Sequence, residues 1–296
     1  MTEPVRDQWA EWLLNRGTAG DKDGWIKFLR PVRDRVLENA ALSESDTLLD
    51  VGAGDGMIAF GALEKMGEGG RVIFADISQD LLDHSRALAE ERGVLDRCSF
   101  VLASATDLSE LNDGSVDVVT TRSVLIYVKD KLSAFREFHR VLKPGGRLSI
   151  FEPVASFKEP EPPGIFLGCD VTAVEDLAER IKAFYHQAQP RDSDPMHDFG
   201  ERDLVRCAEE AGFAETALEF RAEVARGNPP GWGEKAWDII AKAAPNPLVP
   251  PLEEVAERVL SPEEARRFLV HLRPLVESGR RTRRQASAYL RATKGR

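Results

Sequence analysis

The stretch "LLDVGAGDGMIAF", residues 48–60, decides the fold. It opens as a strand, carries Gly52, Gly54 and Gly56 at every second position, and continues from Met57 as a helix. Glycines are required at a strand-to-helix turn where a side chain would block a ligand's close approach or where the backbone needs positive φ. The turn is therefore expected to bring main chain up to a nucleotide.

From Thr47 onward short apolar runs alternate with helical stretches. The runs cover 47–51, 71–75, 99–103, 116–121 and 147–152, and helices are expected over 56–66, 79–92 and 130–142. Such alternation gives right-handed crossovers and a parallel sheet covered on both faces. The fold class is thus α/β, a Rossmann-like doubly wound sheet. Ahead of it, 6–16 and 22–42 read as helices, with Trp9, Trp12, Trp25 and Phe28 at helical spacing. "EPVASFKEPEPPG", 152–164, holds too much proline for regular structure. Residues 171–188 and 201–213 then return to helix, 216–224 alternates as a strand, and 285–294 is the last strand. The helical residues between those two strands include one start with Ser261 as N-cap, Pro262 in the first turn and Glu264 three residues on.

The expected organisation is an N-terminal helical cap (1–45), a nucleotide-binding core (46–153), a lid insertion (154–200), a return to the core (201–225), a helical insertion (226–282) and a last core strand (283–296).

Composition narrows the class. Hydrophobic residues make up 42% and charged residues 30% of the chain, and no run approaches the ~18–20 apolar residues that span a bilayer. The start of the chain lacks the basic-then-apolar layout of a secretory signal. Three cysteines, Cys98, Cys169 and Cys207, without a CxxC pair imply neither a disulfide framework nor a zinc site. The sequence reads as cytoplasmic, with no metal and no membrane partner. A formal net charge of −10 argues against nucleic acid. Arg280, Arg281, Arg283 and Arg284 form a basic cluster that reads as a solvated turn before the last strand, with an anion-binding patch as the alternative. The long helical additions offer a surface for a homodimer.

"GDGMIA", 54–59, satisfies one form of the dinucleotide fingerprint. Asp50 and Asp55, however, lie in and beside the loop, where carboxylates repel a pyrophosphate and favour a ligand carrying an ammonium and a sulfonium. S-adenosyl-L-methionine is such a ligand. Asp76, in "VIFADIS" (72–78), ends the second strand, where a carboxylate accepts both ribose hydroxyls of NAD or adenosylmethionine alike.

The ordered set "LLDVGAGDG", "VIFADIS", "VLASATDL", "SVDVVTTRSVLIYVKD" and "EFHRVLKPGGRLSIFEP" resembles class I S-adenosylmethionine-dependent methyltransferases, in the small-molecule branch that includes ubiquinone/menaquinone methyltransferases. The resemblance covers about residues 46–153. It implies a seven-stranded sheet of order 3-2-1-4-5-7-6 with the last strand antiparallel, and S-adenosyl-L-homocysteine as product. By the same resemblance Asp50, Gly52 and Gly54 face the methionyl part, Asp76 the ribose, Ile77 the adenine ring, and Ser104 with Ala105 the adenine edge. Arg122 is placed near the methionyl tail. Relatives often hold an acid where Ser104 stands, so the adenine amino group is left to the serine hydroxyl or to Asp107.

Methyl transfer from a sulfonium is an in-line displacement in which positioning contributes ~7–11 kcal/mol of the barrier. A base is needed only where the nucleophile must lose a proton. The acceptor is expected over the C-terminal ends of the strands, with Glu152 as proton acceptor and Tyr127 lining the methyl channel. His84 and His139 lie on core-packed helices, His186 and His197 flank "QPRDSDP" (189–195), and His271 falls in the second insertion, so none is assigned to catalysis. Phe166, Phe184, Tyr185, Trp232 and Trp237, with the N-terminal tryptophans, are candidates for an aromatic lid. The function read from the sequence is methylation of a small organic acceptor. Its rivals are an NAD(P)-dependent oxidoreductase and a cofactor-binding, non-methylating enzyme or partner subunit.

Overall fold

A computed structural model describes residues 7–15, 22–158 and 160–296, with backbone alone at 15 and 22–28. The side chains of Trp25 and Phe28, and the ends of the first expected helix, lie outside the described residues.

In chain order the elements are α1 (Gln8–Asn15), α2 (Lys22–Ala40), β1 (Thr47–Val51), α3 (Met57–Lys65), β2 (Arg71–Asp76), α4 (Gln79–Glu91), β3 (Cys98–Leu102), β4 (Val116–Arg122), α5 (Lys131–Val141) and β5 (Leu142–Pro153). They continue as β6 (Ile165–Phe166), β7 (Cys169–Asp170), α6 (Glu175–Ala188), α7 (Glu201–Glu210), β8 (Phe213–Arg226), α8 (Leu252–Val259), α9 (Pro262–Glu277) and β9 (Thr282–Lys294).

The main sheet has seven strands in the order β3-β2-β1-β4-β5-β9-β8. β1 to β5 run parallel, and β9 enters antiparallel between β5 and β8. With the small β6–β7 ribbon set aside, this is the expected 3-2-1-4-5-7-6 order. The sequence left that ribbon unassigned, because two-residue strands are too short for alternation to register. "LKPGG" belongs to β5, where the ladder shifts register between Val116↔Leu142 and Val118↔Arg147.

Parallel strands are covered on both faces, and Leu48, Leu49, Val118 and Val119 are fully buried accordingly. Each such side chain stabilises by ~1.5–3 kcal/mol relative to exposure. One apolar cluster, including Phe135, Phe138, Leu204 and Leu290, covers one face of the sheet; a second, including Val36, Leu37, Phe60 and Phe74, covers the other. A third cluster joins the two segments expected as insertions, with Phe166, Leu177 and Ile181 from one and Trp237, Phe268 and Leu272 from the other.

Local signals hold at helix starts. Ser78 Oγ accepts from Leu81 N at 3.1 Å to open α4, and Ser261 with Glu264 forms the expected capping box at α9. The arginine run departs in part from its reading as a solvated turn, with Arg280 and Arg284 exposed as expected. Arg281 and Arg283 are half-buried at the start of β9, Arg283 pairs with Glu223 at 2.6 Å, and Arg284 stacks over Phe157. Among the described residues no helix is long and apolar enough to cross a membrane.

Candidate active site

The C-terminal ends of β1, β2, β4 and β5 meet at one edge, where Val51 pairs with Ala75 and Thr121, and Arg122 with Phe151. At that edge Gly52, Gly54 and Gly56 all take positive φ, at 65°, 56° and 76°. Gly52 N and Ala53 N both donate to Ala75 O, which fixes the turn against β2. The turn is also close-packed: a Cβ on Gly52 would stand 2.2 Å from Val124 Cγ2.

Asp76 holds the far side of this loop. Its Oδ2 accepts from Gly54 N at 2.8 Å and its Oδ1 from Ser78 N at 3.0 Å, while the residue keeps 6% of its surface. Burial raises its pKa, and those amide hydrogen bonds oppose the rise. Ile77 is 55% exposed beside it. Ser104 Oγ lies 3.0 Å from Thr106 Oγ1, and Asp107 is turned to solvent, where it accepts from Ser109 N.

Asp50 sits beneath the loop and is not among the cavity-lining residues. Its carboxylate accepts from Thr120 Oγ1 at 2.9 Å; burial pushes its pKa up to about 7, against the pull of Thr120 and of the nearby Arg122 guanidinium.

Beyond β4 the chain turns sharply at Ser123, which has φ 57° and donates its N–H to Phe151 O. The turn that follows folds over Glu152. The fully buried Glu152 carboxylate accepts from Val124 N and Leu125 N at 2.9 Å and from Ile126 N at 3.1 Å. Both oxygens therefore hold main chain, and the residue does not line the cavity, contrary to the position its proton-acceptor role requires. Burial pushes its pKa up to about 7, opposed by the three amides.

Tyr127, at the end of the same turn, does line the cavity, and its ring meets Trp9 edge-on at 4.9 Å. α1 lies across the opening, with Leu13 Cδ2 2.8 Å from the place of a Gly54 Cβ and Trp12 Nε1 donating to Ala244 O at 3.0 Å. Nothing in the sequence pairs Trp12 with a residue that distant along the chain. Trp232, Ile239 and Met196 complete the wall.

The cavity measures about 970 Å³ and runs from Gly52, Gly54, Asp76, Ile77, Ser104 and Ala105, past Arg122, to the aromatic end. The structure thus brings together eight expected residues: those six, Arg122 and Tyr127. Asp50 and Glu152 stand behind it as supports. The sequence reading did not single out Ser123, Val124, Lys129 or Lys158, which line the same space. Of the aromatics expected in a lid, Trp232 lines it, whereas Phe166 and Trp237 are buried in the helical cluster. No histidine lines it among the described residues. The cysteines lie apart, one in or against each of the three apolar clusters.

Two features make this a fitting cradle for an adenosyl group. Glycines hold the space a Cβ would fill, and a buried carboxylate at the end of β2 borders the cavity next to an exposed apolar face at Ile77.

Comparison with known proteins agrees. Residues 49–150 match the family model described as a methyltransferase domain. The chain is 36% identical over 117 residues to the ubiquinone/menaquinone biosynthesis C-methyltransferase UbiE of Pectobacterium carotovorum, covering 40% of this chain and 46% of that protein. It is 35% identical over 129 residues to the nocamycin O-methyltransferase of Saccharothrix syringae, covering 44% and 45%. The chain thus spans about half the length of the curated relatives it matches first. Among solved structures it is similar to a Haemonchus contortus phosphoethanolamine N-methyltransferase crystallised with S-adenosylhomocysteine. That similarity has a TM-score of 0.55 at 15% identity, over 99% of this chain and 62% of that one, and it speaks for the fold. Residues 49–150 are thus similar to a methyltransferase domain, within a chain that has the Rossmann-like fold of solved methyltransferases.

Proposed function

We propose that this chain binds S-adenosyl-L-methionine at the glycine loop and transfers its methyl group to a small organic acceptor in the aromatic end of the same cavity. The observation that carries the reading is continuity: one space of about 970 Å³ joins Gly52, Gly54 and Asp76 to Tyr127 and Trp232.

When bound, the donor supplies an activated methyl on a sulfonium. The residues have the following roles in this reading. Asp76 accepts from the ribose hydroxyls, and Ile77, Ser104 and Ala105 surround the adenine. Gly52 and Gly54 let the main chain close on the methionyl part, and Arg122 meets its carboxylate. Asp50 acts from beneath as a counter-charge and holds β1 to β4 through Thr120. Glu152 is a positioning residue: it fixes the turn 124–126, which seats Val124 on Gly52 and presents Tyr127 to the cavity. α1 and the two insertions exclude water, which strengthens every charge interaction inside.

Isothermal titration with S-adenosylhomocysteine tests the donor half of this reading, and transfer of a labelled methyl group to a pool of small organic acceptors tests the rest. An oxidoreductase would instead show affinity for NADP.

A further inference from the structure

Among the described residues that line the cavity, the carboxylates already accept hydrogen bonds. Both oxygens of Asp76 are bound to amide N–H groups, and those of Asp130 to the Ser133 N–H and hydroxyl at 3.0 and 2.7 Å. The Glu152 carboxylate lies behind the wall with three amide donors on it. No histidine reaches the space among the described residues. A general base must lie within hydrogen-bond reach of the proton it takes.

The same end carries cations. Lys129 and Lys158 both line it and both are exposed, in a chain whose formal net charge is −10. Lys129 has no hydrogen-bond or ion-pair partner among the described residues. The indole rings of Trp9, Trp12 and Trp232 line the same cavity and favour a flat apolar body.

From this arrangement we infer that the acceptor is an organic acid on a flat, apolar frame, whose attacking oxygen enters already ionised and is held by Lys129 and Lys158. The inference rests on the methyl-transfer reading above. In the transfer the oxygen's lone pair forms the new carbon–oxygen bond as the carbon–sulfur bond breaks, and that pair remains on sulfur. An anion and a sulfonium become an ester or ether and a thioether, and no proton moves. Such a transfer needs no base, in keeping with a cavity that no histidine lines among the described residues.

The test titrates 2-naphthoate and its methyl ester into the full chain, with and without saturating S-adenosylhomocysteine, and follows tryptophan fluorescence. The acid is expected to quench and to bind at least ~10-fold more tightly than the ester, the size of one charge-assisted contact. The double variant Lys129→Met, Lys158→Met is expected to lose that preference while S-adenosylhomocysteine affinity stays within ~2-fold, which also shows that it folds. Equal affinity for acid and ester in both conditions, or no binding of the acid, overturns the inference. Failure of S-adenosylhomocysteine to bind fails the donor reading separately.

Discussion

The Glu152 carboxylate, near the end of β5, accepts the main-chain N–H of Leu125 at 2.9 Å. With its bonds to Val124 and Ile126, this contact ties the fifth strand to the turn that follows the fourth. Ser123 N–H on Phe151 O anchors the start of the turn, and Glu152 is the side chain that holds its three following amides. Glu152→Gln is expected to place an amide N–H₂ against a main-chain donor. The expected loss is ~1–3 kcal/mol of unfolding free energy, read by urea denaturation. An unchanged midpoint would show that the turn is held elsewhere.

The pH dependence follows from two buried acids. Burial pushes Asp50 and Glu152 both up to about 7, from ordinary values of 3.8 and 4.5. Each proton is held more tightly by the folded chain. The stability this brings is complete below the unfolded values and is lost as pH rises through about 7. Wild type is therefore expected to lose up to ~1.4 kcal/mol per pH unit per group between about pH 4.5 and 7, and to level off above. Glu152→Gln removes one of the two titrations, so its curve is expected to be shallower over that window. Parallel curves for the two proteins contradict the assignment.

Gly52→Ala puts a methyl 2.2 Å from Val124 Cγ2 at a φ of 65°. The left-handed backbone costs ~1–2 kcal/mol and the overpacking ~1–3 more. The melting temperature should fall and cofactor affinity with it. Gly52→Ala combined with Val124→Ala should recover part of the stability, because it relieves the clash and leaves the strain.

Trp12→Phe leaves a smaller aromatic ring and removes the N–H that reaches Ala244 O at 3.0 Å. α1 then loses this bond to Ala244. S-adenosylhomocysteine affinity is expected to weaken by ~3–10-fold, the value of one hydrogen bond, with a rise in hydrogen exchange over α1. Unchanged affinity and exchange would mean that α1 does not close the site.

The fold was legible where periodicity speaks for a local cause. Strands such as Leu48–Val51 are short, apolar and bounded by glycine, and the crossover helices between them leave few sheet topologies open. The glycine loop and Asp76 were legible for the same reason, since a tight turn and the end of the next strand are fixed by sequence position. Glu152 was placed correctly at the C-terminal edge, but its direction was not readable. Whether it faces the cavity depends on a turn 26 to 28 residues earlier that leaves three amides without partners. Trp12 meeting Ala244 through a hydrogen bond, and Phe166 meeting Phe268 through ring packing, join segments far apart in the chain. Apolar spacing marks such residues as buried and leaves their partners unnamed.

The central claim is that Asp76 and the glycine loop hold an adenosyl donor. Calorimetric titration of S-adenosylhomocysteine into wild type and Asp76→Ala tests it most directly. The account predicts one binding site on wild type and a ~10–100-fold weaker one on the variant, which loses the ribose contacts and the Gly54 anchor together. No binding to wild type, or equal binding to both proteins, would contradict it.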